Sequence, residues 1–201
     1  MADPLPPGLL APLADLGRWL DAINARFIIV GGVAVSFLSR PRFTQDIDAL
    51  AILPEEQWEG AIATAVSYGI IPRNDDVLRF ARQTRVFLLR HSQSAIDIDL
   101  IIAGLAFEQS AVDHADVHSV AGVDIRLPRV EDLLVMKAVA HRPQDMRDID
   151  GLLAVHPEVN IGTVRRWVRE FGAATAMSDL IEDFDKAVAR RAIPEPRKME
   201  D

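Results

Sequence analysis

Aspartate is a poor strand former, so a strand-like segment with two of them on one face needs a reason. The tripeptide Asp-Ile-Asp occurs three times, as Asp46-Ile47-Asp48, Asp97-Ile98-Asp99 and Asp148-Ile149-Asp150. In a strand, residues i and i+2 point the same way, about 6.6 Å apart at a rise of about 3.3 Å per residue. The isoleucine between them faces the core and anchors the strand. Two carboxylates so placed can flank one divalent cation, or share a pair of ions about 3.5–4 Å apart. A third carboxylate on a neighbouring strand, about 4.8 Å away, completes such a site. Asp97 and Asp99 both offer it, because the run from Ala95 to Ile101 alternates as the first run does. Oxygen ligands with few imidazoles favour Mg²⁺ or Mn²⁺ over zinc. The third copy falls in a helical pattern, where i and i+2 stand about 200° apart and cannot share an ion. Asp148 and Asp150 are therefore expected on the helix surface or in ion pairs with Arg142 and Arg147.

Upstream of the first acid pair, Gly31-Gly32 ends the apolar run Phe27-Ile28-Ile29-Val30 and opens a helix. A strand–Gly-Gly–helix turn presents backbone N–H groups at a helix N-terminus, where phosphate oxygens bind well. Ser36, one helical turn on, is expected to pack or cap. Arg42 and Thr44 stand four and two residues before Asp46, placed to set a guanidinium against phosphates and a hydroxyl against backbone. Lys137 lies within the apolar stripe Leu133, Leu134, Met136 and Ala140; it can reach a phosphate or a carboxylate, or snorkel to the surface. Asp113, His114, Asp116 and His118 lack zinc-like ligand spacing. The run from Arg165 to Arg169 reads as an ordinary amphipathic helix. Neither a Ser-His-Asp motif nor a Walker lysine loop can be read.

The elements that must hold these residues follow from periodicity. Apolar residues at helical spacing mark a helix over residues 9–25, and short apolar runs mark strands over 27–30 and 45–53, with a short helix over 33–39 between them. Proline and two acids open a helix over residues 54–68, ended by Gly69. Residues 74–81 have no decided pattern. Strands over 85–90 and 95–102 flank a polar turn, a helix covers 107–114, and a hairpin covers 117–127 around Ala121-Gly122. Beyond Pro128 the pattern is helical: 130–141, 143–155, 161–171 and 177–190. The expected organisation is an α/β catalytic domain over residues 1–127, a C-terminal helical region over 128–193, and a disordered charged tail over 194–201. Pro4, Pro6 and Pro7 make a stiff, frayed start. The acid tripeptides recur 51 residues apart each time, but the surrounding pattern does not recur, so the spacing is read as coincidence.

A chain of 201 residues, 49% of them hydrophobic, can bury an adequate core without staples. It has no cysteine, which excludes disulfides, thiolate metal sites and a cysteine nucleophile. The N-terminus lacks the basic start and apolar run of a signal peptide, and no apolar run reaches 18 residues, so a soluble cytoplasmic protein with no membrane partner is expected. A net charge of −8 argues against nucleic-acid binding through broad electrostatics. The deficit lies in residues 1–160, since residues 161–201 hold eight basic and eight acidic side chains. An acidic catalytic half suits bound Mg²⁺ with nucleotide, because the metal offsets local negative charge.

Gly31-Gly32-x-Ala34, followed by Arg42-x-Thr44-x-Asp46-x-Asp48, resembles the nucleotidyltransferase superfamily that includes DNA polymerase beta. It looks closest to the abortive-infection (AbiEii-like) toxin nucleotidyltransferases and related bacterial domains. Asp99-Leu100-Ile101 with Phe107-Glu108, and Glu131-Asp132-Leu133 to Lys137 with Arg142, Asp145 and Asp148, add weaker similarity over roughly residues 27–153. The resemblance implies a mixed sheet flanked by helices, with a helical C-terminal part. It implies metal-dependent transfer of a nucleoside monophosphate from an NTP to an acceptor hydroxyl, with release of pyrophosphate. Gly31 and Gly32 would hold phosphates, with Arg42, Thr44 and Lys137 as further nucleotide contacts. Asp46 and Asp48 would bind Mg²⁺ (or Mn²⁺), and Asp99 would bind metal and help deprotonate the acceptor, with Asp97 as its substitute. Relatives often place serine directly after the Gly-Gly pair; Val33 stands there instead, which puts more of the phosphate binding on the backbone. The acceptor implied is RNA or protein, in the manner of a toxin with a cognate antitoxin. A small-molecule, antibiotic-type acceptor and a catalytically silent binding protein are the competing readings.

Overall fold

The computed structural model describes residues 7–41, 43–177 and 179–191. The start expected to fray at Pro4 and Pro6 and the tail expected to be disordered over 194–201 lie outside the described residues, while Pro7 opens a 3-10 turn (Pro7–Leu9). The chain divides into two compact units, residues 1–129 and residues 130–201. Among the described residues no helix is long and apolar enough to cross a membrane.

In the first unit, helix α1 (Leu10–Ala22) buries Leu13, Leu16, Trp19 and Leu20 along one face. The Trp19 indole donates to Ala61 O at 3.0 Å, so burying it leaves no donor unsatisfied. Five strands form one mixed sheet: β1 (Arg26–Ile29), β2 (Asp46–Ile52), β3 (Ile70–Pro72), β4 (Val86–His91) and β5 (Asp97–Ile102), in the spatial order β1-β2-β5-β4-β3. β2 and β5 are parallel, and every other neighbouring pair is antiparallel. Helix α2 (Gly31–Leu38) joins β1 to β2, while α3 (Trp58–Ala65) and α4 (Val77–Thr84) flank β3. Helix α5 (Ala106–Asp113) then leads to a separate hairpin, β6 (Asp116–Val120) with β7 (Val123–Leu127).

Alternation along the central strands makes the core. Ile47, Phe87, Leu89, Ile98 and Leu100 are fully buried, and each such side chain stabilises the fold by about 1.5–3 kcal/mol. Trp58 meets the Phe87 ring edge-on, with centroids 5.2 Å apart. The same alternation turns Asp46, Asp48, Arg90, Asp97 and Asp99 away from that core. Hydrophobic burial thus fixes the register, and the register aims the carboxylates.

Local departures from expectation have local causes. The helix expected over 54–68 is a 3-10 turn (Glu55–Gln57), then α3, then a second 3-10 turn (Val66–Tyr68), ended by Gly69 at φ +71°. The undecided stretch 74–81 overlaps α4, which runs three residues further to Thr84 and buries only Val77 and Ala81. Strand β3 was not expected: three residues ending in proline are too short for periodicity to mark. A serine–histidine–aspartate alignment unread in the sequence also exists. His91 Nε2 lies 3.0 Å from Asp15 Oδ2 and its Nδ1 lies 2.8 Å from Ser94 Oγ. The ring is buried on the core face and pins the β4–β5 turn to α1.

The regular elements among the described residues of the second unit are helices: α6 (Val130–Ala140), α7 (Pro143–Val155), α8 (Ile161–Thr175) and α9 (Asp179–Arg191). Leu133, Leu152, Val168 and Phe184 are among its buried side chains. Asn160 caps α8 by accepting from Thr163 N at 3.0 Å. Proline at the start of α7 supplies the fixed φ of a first helical residue.

Candidate functional site

The parallel pairing of β2 with β5 decides how the two acid pairs meet. Asp46 stands level with Asp97, and Asp48 with Asp99. On the far side of β5, Arg90 of β4 faces Asp97 and Leu88 faces Asp99. Two cross-strand rows result, Asp46–Asp97–Arg90 and Asp48–Asp99–Leu88, at the N-terminal ends of two parallel strands. Thr44, nearly buried, donates from Oγ1 to Asp46 Oδ1 at 3.0 Å, steadying that carboxylate. Asp46, Asp97 and Asp99 open onto a cleft of about 590 Å³ that Phe43, Thr44 and Arg73 also line.

The glycine turn is built against the same carboxylates. Val30 N donates to Asp48 O at 2.9 Å, so the chain enters α2 directly beside the first acid pair. Gly31 sits at φ +61°, a conformation that costs a side-chain-bearing residue about 1–2 kcal/mol. A Cβ on Gly31 would lie 2.6 Å from Asp48 Cγ and 2.8 Å from Asp48 Cβ, and closer still to Oδ2. Glycine is therefore required twice, once by the backbone and once by the carboxylate that packs on it. Val30, the N-cap residue of α2, makes no side-chain cap hydrogen bond; the first turn of a helix is where phosphate oxygens bind well. Ser36 donates to Gly32 O at 3.0 Å inside the helix and is buried, as its packing role required.

Two arginines missed in the sequence reading complete the cluster. Arg73, just past β3, donates to Leu88 O through its backbone N–H at 2.9 Å. Its guanidinium reaches over Leu88 to both β5 carboxylates, with Nη1 on Asp97 Oδ2 at 2.9 Å and Nη2 on Asp99 Oδ1. Arg90 Nε lies 2.6 Å from Asp97 Oδ1. Hairpin pairing across the 91–94 turn puts Arg90 opposite Asp97 and was the available clue; nothing in the local pattern marks Arg73.

These contacts divide two otherwise similar aspartates. Burial raises the Asp99 carboxyl above its ordinary value, and the charges of Asp46 and Asp97 push it the same way against the pull of Arg73. The Arg90 hydrogen bond holds Asp97 below its ordinary value, and Arg73 adds to that pull against burial. Asp97 is thus neutralised by two guanidinium groups, whereas Asp99 sits among like charges that a cation would relieve. An all-oxygen donor set of Asp46, Asp48 and Asp99 suits a hard cation such as Mg²⁺ or Mn²⁺. The three carboxylates are not drawn tightly together here, and Arg73 engages one of them. Among the described residues, the group that brings three ligand-type atoms within 4.8 Å is His141, Asp179 and Asp183 in the helical unit. There Asp183 pairs with His141 at 3.0 Å and with Lys186 at 2.9 Å.

Other sequence candidates lie elsewhere or differ from expectation. Arg42 lies outside the described residues. Lys137, for which a phosphate and a carboxylate were both open, is buried in the helical unit, with Nζ 2.9 Å from Asp145 Oδ1 and 2.9 Å from Asp148 Oδ2. Asp148 is accordingly not on the helix surface; it is buried, and Gln144 Nε2 also donates to it at 3.0 Å. Asp150 faces the other way, exposed and 2.8 Å from Arg190, as the helical angle between i and i+2 demands. Arg142 pairs with Asp145 at 2.6 Å. On α8, Arg165 pairs with Asp185 at 2.6 Å, and Arg166 lies 5.7 Å from the Trp167 ring centroid.

A family profile described as "Nucleotidyl transferase of unknown function (DUF2204)" matches residues 10–176. No curated protein sequence matches the chain. The solution structure of antibiotic-resistance factor ANT(2'')-Ia is similar with a TM-score of 0.57 at 17% identity, over 84% of this chain and 94% of that one. An antigenic nucleotidyltransferase-like protein from Paracoccidioides brasiliensis gives 0.51 at 15% identity, over 88% of this chain and 92% of that one. At such identities the likeness is one of fold.

Proposed function

The chain belongs to the DUF2204 family of nucleotidyl transferases, and from that premise we propose that it moves a nucleoside monophosphate from an NTP to an acceptor hydroxyl and releases pyrophosphate. The observation that carries this reading is the register that sets Asp48 level with Asp99, beside a glycine turn whose backbone packs on Asp48. Asp46, Asp48 and Asp99 are the residues to hold Mg²⁺ or Mn²⁺. When bound, such cations lower the pKa of a coordinated hydroxyl and offset the negative charge of the phosphates.

The chain's own groups take the remaining work. The N–H groups opening α2 at Gly31 and Gly32 receive phosphate oxygens, and Thr44 keeps Asp46 oriented. Asp99, raised above its ordinary value by burial and like charge, accepts the acceptor's proton as the new O–P bond forms. The bond from the α-phosphorus to the bridging oxygen breaks, and pyrophosphate leaves with that electron pair. Arg42 is retained as a donor-phosphate contact on its position before Asp46. Lys137 is retained only as an alternative to its role with Asp145 and Asp148. The AbiEii-like similarity supports an RNA or protein acceptor and a toxin paired with an antitoxin. A small hydroxylated acceptor is the second reading, supported by a cleft of about 590 Å³, a size that fits a small ligand.

The test is label transfer. Purified protein with Mg²⁺ and each α-labelled NTP in turn, given total RNA or cell lysate, should place label on one acceptor class and release pyrophosphate. No transfer and no NTP-dependent stabilisation with any of the four nucleotides would remove the reading.

A further inference from the structure

The geometry points to a second binding site at the β4–β3 side of the cleft: an anion subsite, formed by Arg73, which lines the cleft, and by Arg90, which joins it on Asp97, that receives the phosphodiester next to the 3′ hydroxyl of a nucleic-acid acceptor. This rests on the transfer reading above and specifies its acceptor. Topology orders the cleft. The glycine turn lies at the β1–β2 side, the carboxylates occupy β2 and β5, and the arginines lie beyond β5, on β4 and just past β3. A donor triphosphate on the glycine turn leaves the β4–β3 side for the acceptor. Two guanidinium groups on that side suit an acceptor that arrives with negative charge.

Asp97 is the pin of this subsite. Its two oxygens take one arginine each, Arg90 Nε at 2.6 Å and Arg73 Nη1 at 2.9 Å. Both arginines are partly open to solvent, with side-chain exposures of 24% for Arg73 and 47% for Arg90. Arg73 Nη2 rests on Asp99, the carboxylate assigned to the cation and to the acceptor proton. A cation on Asp99 competes with Nη2 for the same oxygen. Nη1 can stay on Asp97 while Nη2 turns to an incoming phosphate, in the planar two-point geometry that guanidinium and phosphate share. Asp97 therefore acts as a positioning residue and not as a substitute metal ligand. Phe43, 73% exposed, lines the same cleft and offers a base a stacking face. The overall charge of −8 is compatible, since the contact is local and limited to the terminal phosphates. A polycationic aminosugar would meet the arginines as repulsion.

The 201-residue protein, its Arg73→Gln and Arg90→Gln variants, and Arg26→Gln on the far strand β1 as control are compared by two binding measurements. Fluorescence anisotropy follows a 5′-labelled single-stranded RNA with a free 3′ hydroxyl, in Mg²⁺ at several salt concentrations. Calorimetry follows a non-hydrolysable NTP with Mg²⁺. Each cleft variant should weaken RNA binding about 10- to 100-fold and lower the salt slope by about one, with donor affinity unchanged and the control matching wild type. Arg73→Lys should recover part of the RNA loss, which a folding defect would not allow. The proposal is overturned if wild type does not bind the RNA, if Arg73→Gln binds it as wild type does, or if an aminoglycoside binds more tightly than RNA and the glutamine variants improve it. Label on protein with RNA binding indifferent to Arg73 overturns it equally. If Arg73-dependent RNA binding is seen but no NTP binds, the subsite stands and the transfer reading fails.

Discussion

Gly31→Ala tests the joint between the glycine turn and the acid pair. The substitution adds one methyl group at φ +61°, at a backbone cost of about 1–2 kcal/mol. That methyl falls 2.6 Å from Asp48 Cγ and 2.8 Å from Asp48 Cβ. Rotating the carboxylate away does not relieve a clash that includes Cβ, so β2 must also yield. An off-rotamer Asp48 adds about 0.5–1.5 kcal/mol, for a total of roughly 1.5–3.5 kcal/mol. At about 2–4 °C per kcal/mol for a chain of this size, the metal-free variant should melt roughly 3–14 °C lower. The functional effect is separate and more telling. With NTP and Mg²⁺ at about 100 times Kd, binding stabilises wild type by about 2.7 kcal/mol, a shift of roughly 5–10 °C. If displacing Asp48 weakens binding about 100-fold, the same ligand concentration yields only about 0.4 kcal/mol, near 1 °C. Differential scanning fluorimetry with and without ligand reads both numbers. A variant that melts lower yet keeps the full ligand shift would refute the coupling of turn and carboxylate.

Lys137→Met should destabilise the protein by about 3–5 kcal/mol in urea titration, because it leaves two buried carboxylates without their ammonium partner; a loss below about 1 kcal/mol with NTP binding abolished would favour the phosphate role. Asp145→Asn should cost stability at neutral pH, and the deficit should shrink on acidification. The Arg142 and Lys137 hydrogen bonds outweigh burial and hold Asp145 below its ordinary value of 3.8, so its contribution is present above that value and lost as pH falls through the lowered one. Asp99 has the opposite sign: its raised carboxyl favours the folded state below 3.8, and that contribution is lost as pH rises through the raised value. A carboxyl-carbon NMR titration of the metal-free protein should therefore place Asp99 above Asp97. Asp48→Asn should abolish transfer with the fold intact, whereas Asp150→Asn, on α7 and facing Arg190 of α9, should leave it nearly unchanged; equal loss would contradict the site.

Much of the site was legible because strand alternation is a strict rule. Ile47 and Ile98 are fully buried, and once each isoleucine faces the core its flanking aspartates have no other face. The helical third copy was legible by the same geometry in reverse, since Asp148 turns inward and Asp150 outward. What the sequence withheld depends on tertiary pairing. Nothing local to Asp148 shows that it is buried against Lys137 eleven residues earlier. Nothing around Arg73 announces a reach to Asp97 and Asp99, because that reach depends on β3 lying two strands away from β5. Asp97 and Asp99 look alike in the chain and share Arg73; Arg90 beside Asp97, and burial among like charges for Asp99, separate them.

The central claim is that Asp46 and Asp48 of β2 act with Asp99 of β5, and the most direct measurement compares Asp99→Asn with Asp97→Asn in α-labelled NTP transfer, beside calorimetric NTP binding. Asp99→Asn should lose at least about 10²–10⁴ in rate, the range for removing a general base, while NTP binding at the glycine turn partly survives. Asp97→Asn should retain turnover at saturating acceptor and lose mainly acceptor affinity. A dead Asp97→Asn beside an active Asp99→Asn would contradict the account.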